Sequence, residues 1–306
     1  MKKLEPSNER PSAGHDDPYQ RHRPLLFSIA YRMLGSVADA EDMLQETFLR
    51  WQQTPHEDVR DPRAFLVTIL SRLCLNLLQS TRVQREEYVG QWLPEPIVTG
   101  PEGDPSEPAR VGESLSMAFL LLLERLSPIE RAVFLLREVF DYEYPEIART
   151  LDQSEPNCRQ ILRRAREHVT QERPRFTTTA RQREDLLQKF VQASAGGDMQ
   201  ELLAILSRDV VLYADGGGKA TAVPNPIFGA ENVARLLLLA PGKLLPRSLV
   251  RRVLQVNGQP GVVSYLDGLP FSVFTLDVVE GLVRTIYIVT NPEKLSHLPP
   301  LAPATI

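Results

Sequence analysis

Between Leu93 and Gly112 the chain carries prolines at 94, 96, 101, 105 and 108 and glycines at 100, 103 and 112. Proline removes a backbone donor and fixes φ, while glycine raises the entropy cost of ordering, so this stretch reads as a stiff linker. It is also too poor in apolar side chains to fold alone. A chain of 306 residues is therefore cut early, and each side must bury a core of its own. The organisation expected is residues 1–18 without regular structure, a helical block 19–90, the linker 91–112, a second helical block 113–172, an α+β region 180–295 and a tail 296–306.

In the first block Leu26, Ile29, Ala30, Met33 and Leu34 share one face of a helix that stops at Gly35. Ser36 caps the next helix, in which Ala40, Met43, Leu44, Phe48 and Trp51 form the buried stripe. Asp39, Glu41, Asp42, Gln45 and Glu46 cover the remainder. Taken alone, that acidic surface is a solvated face whose first-turn acids suit the helix dipole. Asp61-Pro62 opens a third helix with Leu66, Ile69, Leu70, Leu73 and Leu77 toward the core. Residues 60–88 have a net charge of +2, with Arg63, Arg72, Arg82 and Arg85 as a thin basic surface.

The second block is more specific. Ser127-Pro128-Ile129-Glu130 is a capping box opening a helix through Phe140. A short helix, Pro145–Leu151, is followed by the turn Asp152-Gln153-Ser154 and a longer helix from Glu155 to Thr170. Two helices joined by a three-residue turn describe a helix-turn-helix. Cys158, Ile161, Leu162, Ala165 and Val169 make the buried stripe of its second helix, and Asn157, Arg159, Gln160, Arg163 and Arg164 fall outside it. Arg and Gln pair with guanine and adenine edges, and Arg also reaches phosphates. An ordinary amphipathic helix with a basic face has the same pattern.

After Pro174 come two helices and then runs rich in Val, Leu, Tyr and Phe: Val210–Tyr213, Leu249–Val256, Gly261–Leu266, Phe271–Val279 and Leu282–Val289. Asp215-Gly216-Gly217-Gly218-Lys219 invites comparison with phosphate loops, but Ala220 follows the lysine and Tyr213 holds the upstream glycine position. A turn or a docking loop fits better. Apolar runs are short, the longest being Met117 to Leu123, and Lys2 and Lys3 precede polar sequence. No membrane contact and a cytoplasmic location follow. Cys74 and Cys158 read as buried thiols. A net charge of −4 argues against a protein that coats nucleic acid, and leaves room for local DNA contacts.

Together the two helical blocks resemble bacterial sigma factors of the extracytoplasmic-function (ECF) class. The residues that carry the likeness are Asp39-Ala40-Glu41-Asp42-Met43-Leu44-Gln45-Glu46-Thr47-Phe48 and Pro62-Arg63-Ala64-Phe65-Leu66. In the second block they are Glu146-Ile147-Ala148, Asn157-Cys158-Arg159-Gln160 and Arg163-Arg164-Ala165-Arg166. The third region resembles a SnoaL-like cone, which occurs fused to one ECF subgroup. Trp92-Leu93-Pro94-Glu95-Pro96, Asp215–Lys219 and Asn291-Pro292-Glu293-Lys294-Leu295 look like motifs of that subgroup. The fold class implied is two all-α sigma domains plus a C-terminal α+β cone.

The resemblance implies a sigma factor that binds core RNA polymerase and promoter DNA, with the fused domain as an intramolecular regulator. Asp39, Glu41, Asp42, Gln45 and Glu46 would face polymerase. Arg63, Arg72, Asn76 and Arg82 would hold the minus-ten element, although Asn76-Leu77-Leu78-Gln79-Ser80 is less basic than the family pattern. Asn157, Arg159, Gln160, Arg163 and Arg164 would read the minus-thirty-five element. Trp92, Pro94, Asp215, Gly216, Gly217, Gly218, Lys219, Asn291, Pro292 and Lys294 would form the interdomain contacts. No catalytic residue, cofactor or metal is expected, and a small ligand in the cone is left open. A one-component helix-turn-helix regulator would leave the first block unexplained. A cone enzyme would have to use Asp209, Tyr213, Asp215 or Tyr265 as acid/base groups.

Overall fold

The computed structural model describes residues 17–86, 88–99, 115–170, 179–243 and 249–301. The expectations for residues 1–16, the linker prolines 101, 105 and 108, and the last five residues fall outside them.

Helices α1 (Pro18–Leu34), α2 (Val37–Gln52) and α3 (Pro62–Glu86) form the first block. Gly35 closes α1 at φ 68°, and the Ser36 hydroxyl accepts the Asp39 N–H at 3.1 Å to start α2. The second block comprises α4 (Met117–Glu124), α5 (Pro128–Phe134, widening to a π-turn over Leu135–Val139), α6 (Tyr144–Leu151) and α7 (Glu155–Thr170). Asp152 turns the chain between α6 and α7 in the left-handed conformation, at φ 54°. Asp and Asn reach that region more readily than other side chains with a Cβ.

The two blocks are not independent. One continuous apolar cluster runs from Leu26, Leu44 and Leu70 to Phe134, Ile147 and Leu162. Buried Arg131 seals it by donating to the Met33 carbonyl at 2.6 Å.

The third region has helices α8 (Ala180–Gly196), α9 (Met199–Ile205) and α10 (Ala230–Lys243), and a short α11 (Pro292–Leu295). Its strands are β2 (Leu206–Asp215), β3 (Ile227–Phe228), β4 (Val250–Val256), β5 (Gln259–Leu266), β6 (Leu269–Val279) and β7 (Leu282–Val289). The seventh strand of the sheet, β1 (Val98–Thr99), comes from the linker, and the order is β1-β4-β5-β6-β7-β2-β3. The near end of the linker 91–112, read as stiff and unable to fold alone, takes strand structure by pairing with the cone. The edge of β4 offers unpaired backbone groups, and Val98 and Thr99 pair with Val256 and Gln255 there. The first strand also starts four residues before the expected Val210.

Strand periodicity gives the sheet two different faces. Leu212, Val262, Leu276 and Ile286 point toward α8, α9 and α10. Val263, Tyr265, Tyr287 and Val289 point to the opposite side, where Leu93 of the linker, Met117 of α4 and Leu295 of α11 cover them. The pairs β4–β5, β5–β6 and β6–β7 close through Asn257-Gly258, Asp267-Gly268 and Glu280-Gly281, all six residues at positive φ. Such two-residue turns match the twist of the strands they join.

Glu280 is the poorest fit among these, at φ 53° with a long side chain. Glu280→Asn is expected to raise stability by up to about 1 kcal/mol. Urea unfolding should show the gain as a higher midpoint with an unchanged m-value.

Candidate functional site: the linker clamp and the helix faces

Parallel pairing explains why two sequence-distant motifs meet. β2 and β7 run side by side in register, Asp215 against Val289, so both strands end on the same rim of the sheet. The Asp215 carbonyl accepts the N–H groups of Thr290 and Asn291 at 2.8 and 3.0 Å. This joins the Asp215–Lys219 loop to the N-terminus of α11, where the Asn291 side chain accepts the Glu293 N–H. Lys219 and Glu293 form an ion pair across the junction.

The Asp215 side chain has no solvent exposure and is saturated with donors. One oxygen accepts the Tyr88 hydroxyl at 2.7 Å. The other accepts the Leu93 N–H at 2.8 Å and the Lys294 ammonium at 2.7 Å. Lys294, itself buried, also donates to the Leu93 carbonyl at 2.5 Å. Its ammonium lies 4.3 Å from the ring centre of Trp92 and 4.9 Å from that of Tyr88. A buried ammonium in this cage has a carboxylate, a carbonyl and two aromatic faces for partners. Burial and the bond to Asp215 both push the Tyr88 phenol upward, so it remains a donor throughout the physiological range.

The glycines of the loop are there for clearance. A Cβ on Gly217 would collide with Asn291 and lie 2.9 Å from the Tyr88 hydroxyl, and one on Gly218 would press Val89 at 3.2 Å. Both also have positive φ, 58° and 70°. Gly216 carries the carbonyl that closes the turn onto Lys219 and Ala220.

The linker grips the first helical block as firmly as the cone. Glu95 places one oxygen 2.9 Å from the Ser36 hydroxyl and the other 2.8 Å from the Val37 N–H, supplying the free donors at the start of α2. Buried Tyr31 donates to the Glu95 carbonyl at 2.5 Å and accepts from Asn257 of the β4–β5 turn at 2.7 Å. Asn257 also exchanges two hydrogen bonds with the Ile97 backbone. The tip of Trp92 fills the space over Gly35, 2.7 Å from where a Cβ would stand. Pro94 is buried in this run, and Pro292 is the exposed first residue of α11. The resemblance to the ECF subgroup singled out Trp92, Asp215, Asn291 and Lys294, which the structure brings together. It missed Tyr31, Tyr88 and Asn257, for no short motif contains them. Glu95 stood inside a quoted motif without an assigned role.

On α2, Asp42 and Gln45 are exposed, Asp39 is half-buried, and Glu41 and Glu46 are engaged with Arg23 and Arg50 at 2.6 and 2.9 Å. On α7, Arg159, Gln160, Arg163 and Arg164 are exposed and Asn157 is half-buried against Gln153. Arg159 bonds Glu155 at 3.2 Å and lies over Tyr144, while Arg163 makes a loose pair with Glu167 at 3.4 Å. On α3, Arg63 and Arg72 are exposed and also reach the second block. Arg72 donates to the Thr150 and Arg149 carbonyls at the C-terminus of α6, at 3.1 and 3.3 Å, and Arg63 lies over the Tyr142 ring at 5.2 Å. These cations meet the negative end of a helix and an aromatic face of the second block. Asn76 is exposed, and the side chain of Arg82 lies outside the described residues.

A sigma-70 region 2 model matches residues 18–83 and a sigma-70 region 4 model matches residues 116–169. The ECF RNA polymerase sigma factor SigJ of Mycobacterium tuberculosis is 34% identical over 292 residues, covering 92% of this chain and 93% of that protein. The chain belongs to the ECF RNA polymerase sigma factors. SigG, an ECF sigma factor of the same organism, is 29% identical over 320 residues, or 92% of this chain and 82% of its own. The crystal structure of M. tuberculosis SigJ superposes with a TM-score of 0.73 at 34% identity, covering 91% of this chain and 97% of that one. The fold is two helical sigma domains followed by a SnoaL-like cone, and the function of an ECF sigma factor is promoter-specific transcription initiation.

In this ECF factor the groups considered for acid/base chemistry are dispersed. Asp209 is exposed beside Ser207, Asp215 is locked in the clamp, and Tyr213 and Tyr265 belong to the linker-covered face of the sheet. Among the described residues no cluster suits a metal ion, and no helix is long and apolar enough to cross a membrane.

Removing one partner of a buried ion pair costs about 3–5 kcal/mol. Asp215→Ala should therefore expose the linker, read as a loss of hydrogen-exchange protection of two or more decades at the Leu93 amide. Replacing both partners, Asp215→Leu with Lys294→Met, should recover part of that protection.

Proposed function

We propose that this chain binds core RNA polymerase through the acidic face of α2, with Asp42 and Gln45 leading and Asp39, Glu41 and Glu46 beside them. Helix α7 reads the minus-thirty-five element through Gln160 and Arg163, supported by Asn157, Arg159 and Arg164. Arg63, Arg72, Asn76 and Arg82 of α3 serve the minus-ten element. The observation that carries the reading is the exposed Gln160–Arg163 face on a capped helix whose opposite stripe is buried.

Arg63 and Arg72, though exposed, also bond the second block, so parting the blocks would free their side chains fully for DNA. The clamp gives the cone a means of setting that equilibrium, because the linker that joins the blocks is bound along the cone's rim. The cone acts as a regulator and not as an enzyme, a reading supported by the dispersal of its acid/base groups. The protein acts in the cytoplasm, where its partners are.

Transcription from a cognate promoter with purified core polymerase tests the assignment. Asp42→Lys with Glu46→Lys should abolish initiation and core binding while leaving duplex binding by α7 unaltered. Arg163→Ala should leave core binding intact and weaken promoter use by roughly 5- to 150-fold, the value of one bidentate base contact. Wild-type initiation by the α2 double variant would contradict the proposed polymerase face.

A further inference from the structure

The cone encloses a cavity of about 680 Å³ between α8, α10 and the sheet, well inside the size range of small-molecule sites. Its walls are mainly apolar, with Phe190, Leu212, Leu237, Phe271, Phe274 and Ile286 contributing. Among the described residues no Asp, Glu, His or Tyr lines it. Against this background the polar lining is ordered. Arg251 of β4 pairs in register with Ser264 of β5, and Ser264 pairs with Ser272 of β6. All three line the cavity. They form one cross-strand row, a cation and two hydroxyls on adjacent strands, spanning about 10 Å at the usual strand spacing.

One further feature points to an occupant. Arg251 is exposed at the end of the row and makes no ion pair or side-chain hydrogen bond with the described residues, whereas Lys219, the other cation of the lining, is held by Glu293.

We propose that this cavity binds an apolar carboxylic acid. The hydrocarbon body fills the chamber, the carboxylate pairs with Arg251, and Ser264 and Ser272 complete its hydrogen bonds. Among the described residues the lining carries two cations and no anion, which selects against an amine and for an acid.

The site is one residue away from the clamp. Residues 219–223 form part of its wall, and the same loop presents Gly217 and Gly218 to Tyr88 and Val89. Thr290 also lines the cavity, and its hydroxyl donates to the Asp215 carbonyl at 3.3 Å. Occupancy therefore alters the loop that holds the linker; this second step rests on the regulatory reading above.

Calorimetric titration of the full-length chain with decanoate, decanol and decylamine tests the site. Decanoate should bind at least about tenfold more tightly than the other two, and Arg251→Gln should erase its advantage over decanol without altering decanol binding. Leu237→Trp, which fills the chamber, should remove binding of both. Equal affinity for acid and alcohol in the wild type, or no binding of any of the three, would overturn the proposal. Hydrogen exchange at the Leu93 amide separates the two steps. Acid-selective binding that leaves this amide unchanged contradicts the regulatory coupling and retains the site, while loss of acid selectivity removes the site whatever polymerase assays return.

Discussion

A carboxylate without solvent must be met by donors from the protein, or its desolvation opposes folding. At Asp215 those donors come from two stretches far from it in sequence: Tyr88 and the Leu93 backbone from one, Lys294 from the other. Loss of Lys294 leaves a buried charge uncompensated, and loss of either neutral donor leaves the buried carboxylate short of a hydrogen bond. That shared constraint holds the linker on the sheet. Coupled positions follow from it, including the glycines whose missing side chains let Asn291 and Tyr88 approach. Glu95, on the same strip of linker, extends the hold to the start of α2.

The linker is consequently the structural centre of the molecule. It covers one face of the cone's sheet with Leu93, lengthens the sheet by β1, and fills the α1–α2 junction with Trp92. The two sigma domains meanwhile share an apolar core, with Arg72 against the end of α6 and Arg131 against the end of α1. Packed this way, the molecule leaves the α7 arginines exposed and ties the α3 arginines, themselves exposed, to the second block.

Much of this was legible in the residues, and the divide has a physical cause. Features specified locally came through: Gly35 as a helix-ending residue, the Ser127 capping box, the helix-turn-helix, and most of the strands. The sigma-factor family and the cone were legible too, from short motifs in the right order. Features specified by distant pairing did not. Pro94 and Pro96 argued against secondary structure in the linker, yet Val98 and Thr99 follow them onto an open strand edge. The contacts of Arg63 and Arg72 with the second block were not legible, because charge alone does not reveal an opposing helix terminus. Tyr31, Tyr88 and Asn257 carried no signal, for a hydrogen bond across more than 100 residues, such as Tyr88 to Asp215, leaves no periodicity. The Arg251–Ser264–Ser272 row was equally invisible, since it exists only once the strand registers are known.

The central claim is that Asp215 keeps the helical blocks and the cone in one arrangement through the linker. Single-molecule energy transfer between dyes at Asp42→Cys on α2 and Val253→Cys on β4 reads that arrangement directly. Both positions are exposed, and the native Cys74 and Cys158 are buried away from maleimides. The account predicts one narrow population in the otherwise wild-type chain, and a broad second population at lower transfer when Asp215→Ala is added. An unchanged narrow population in the Asp215→Ala protein would contradict it.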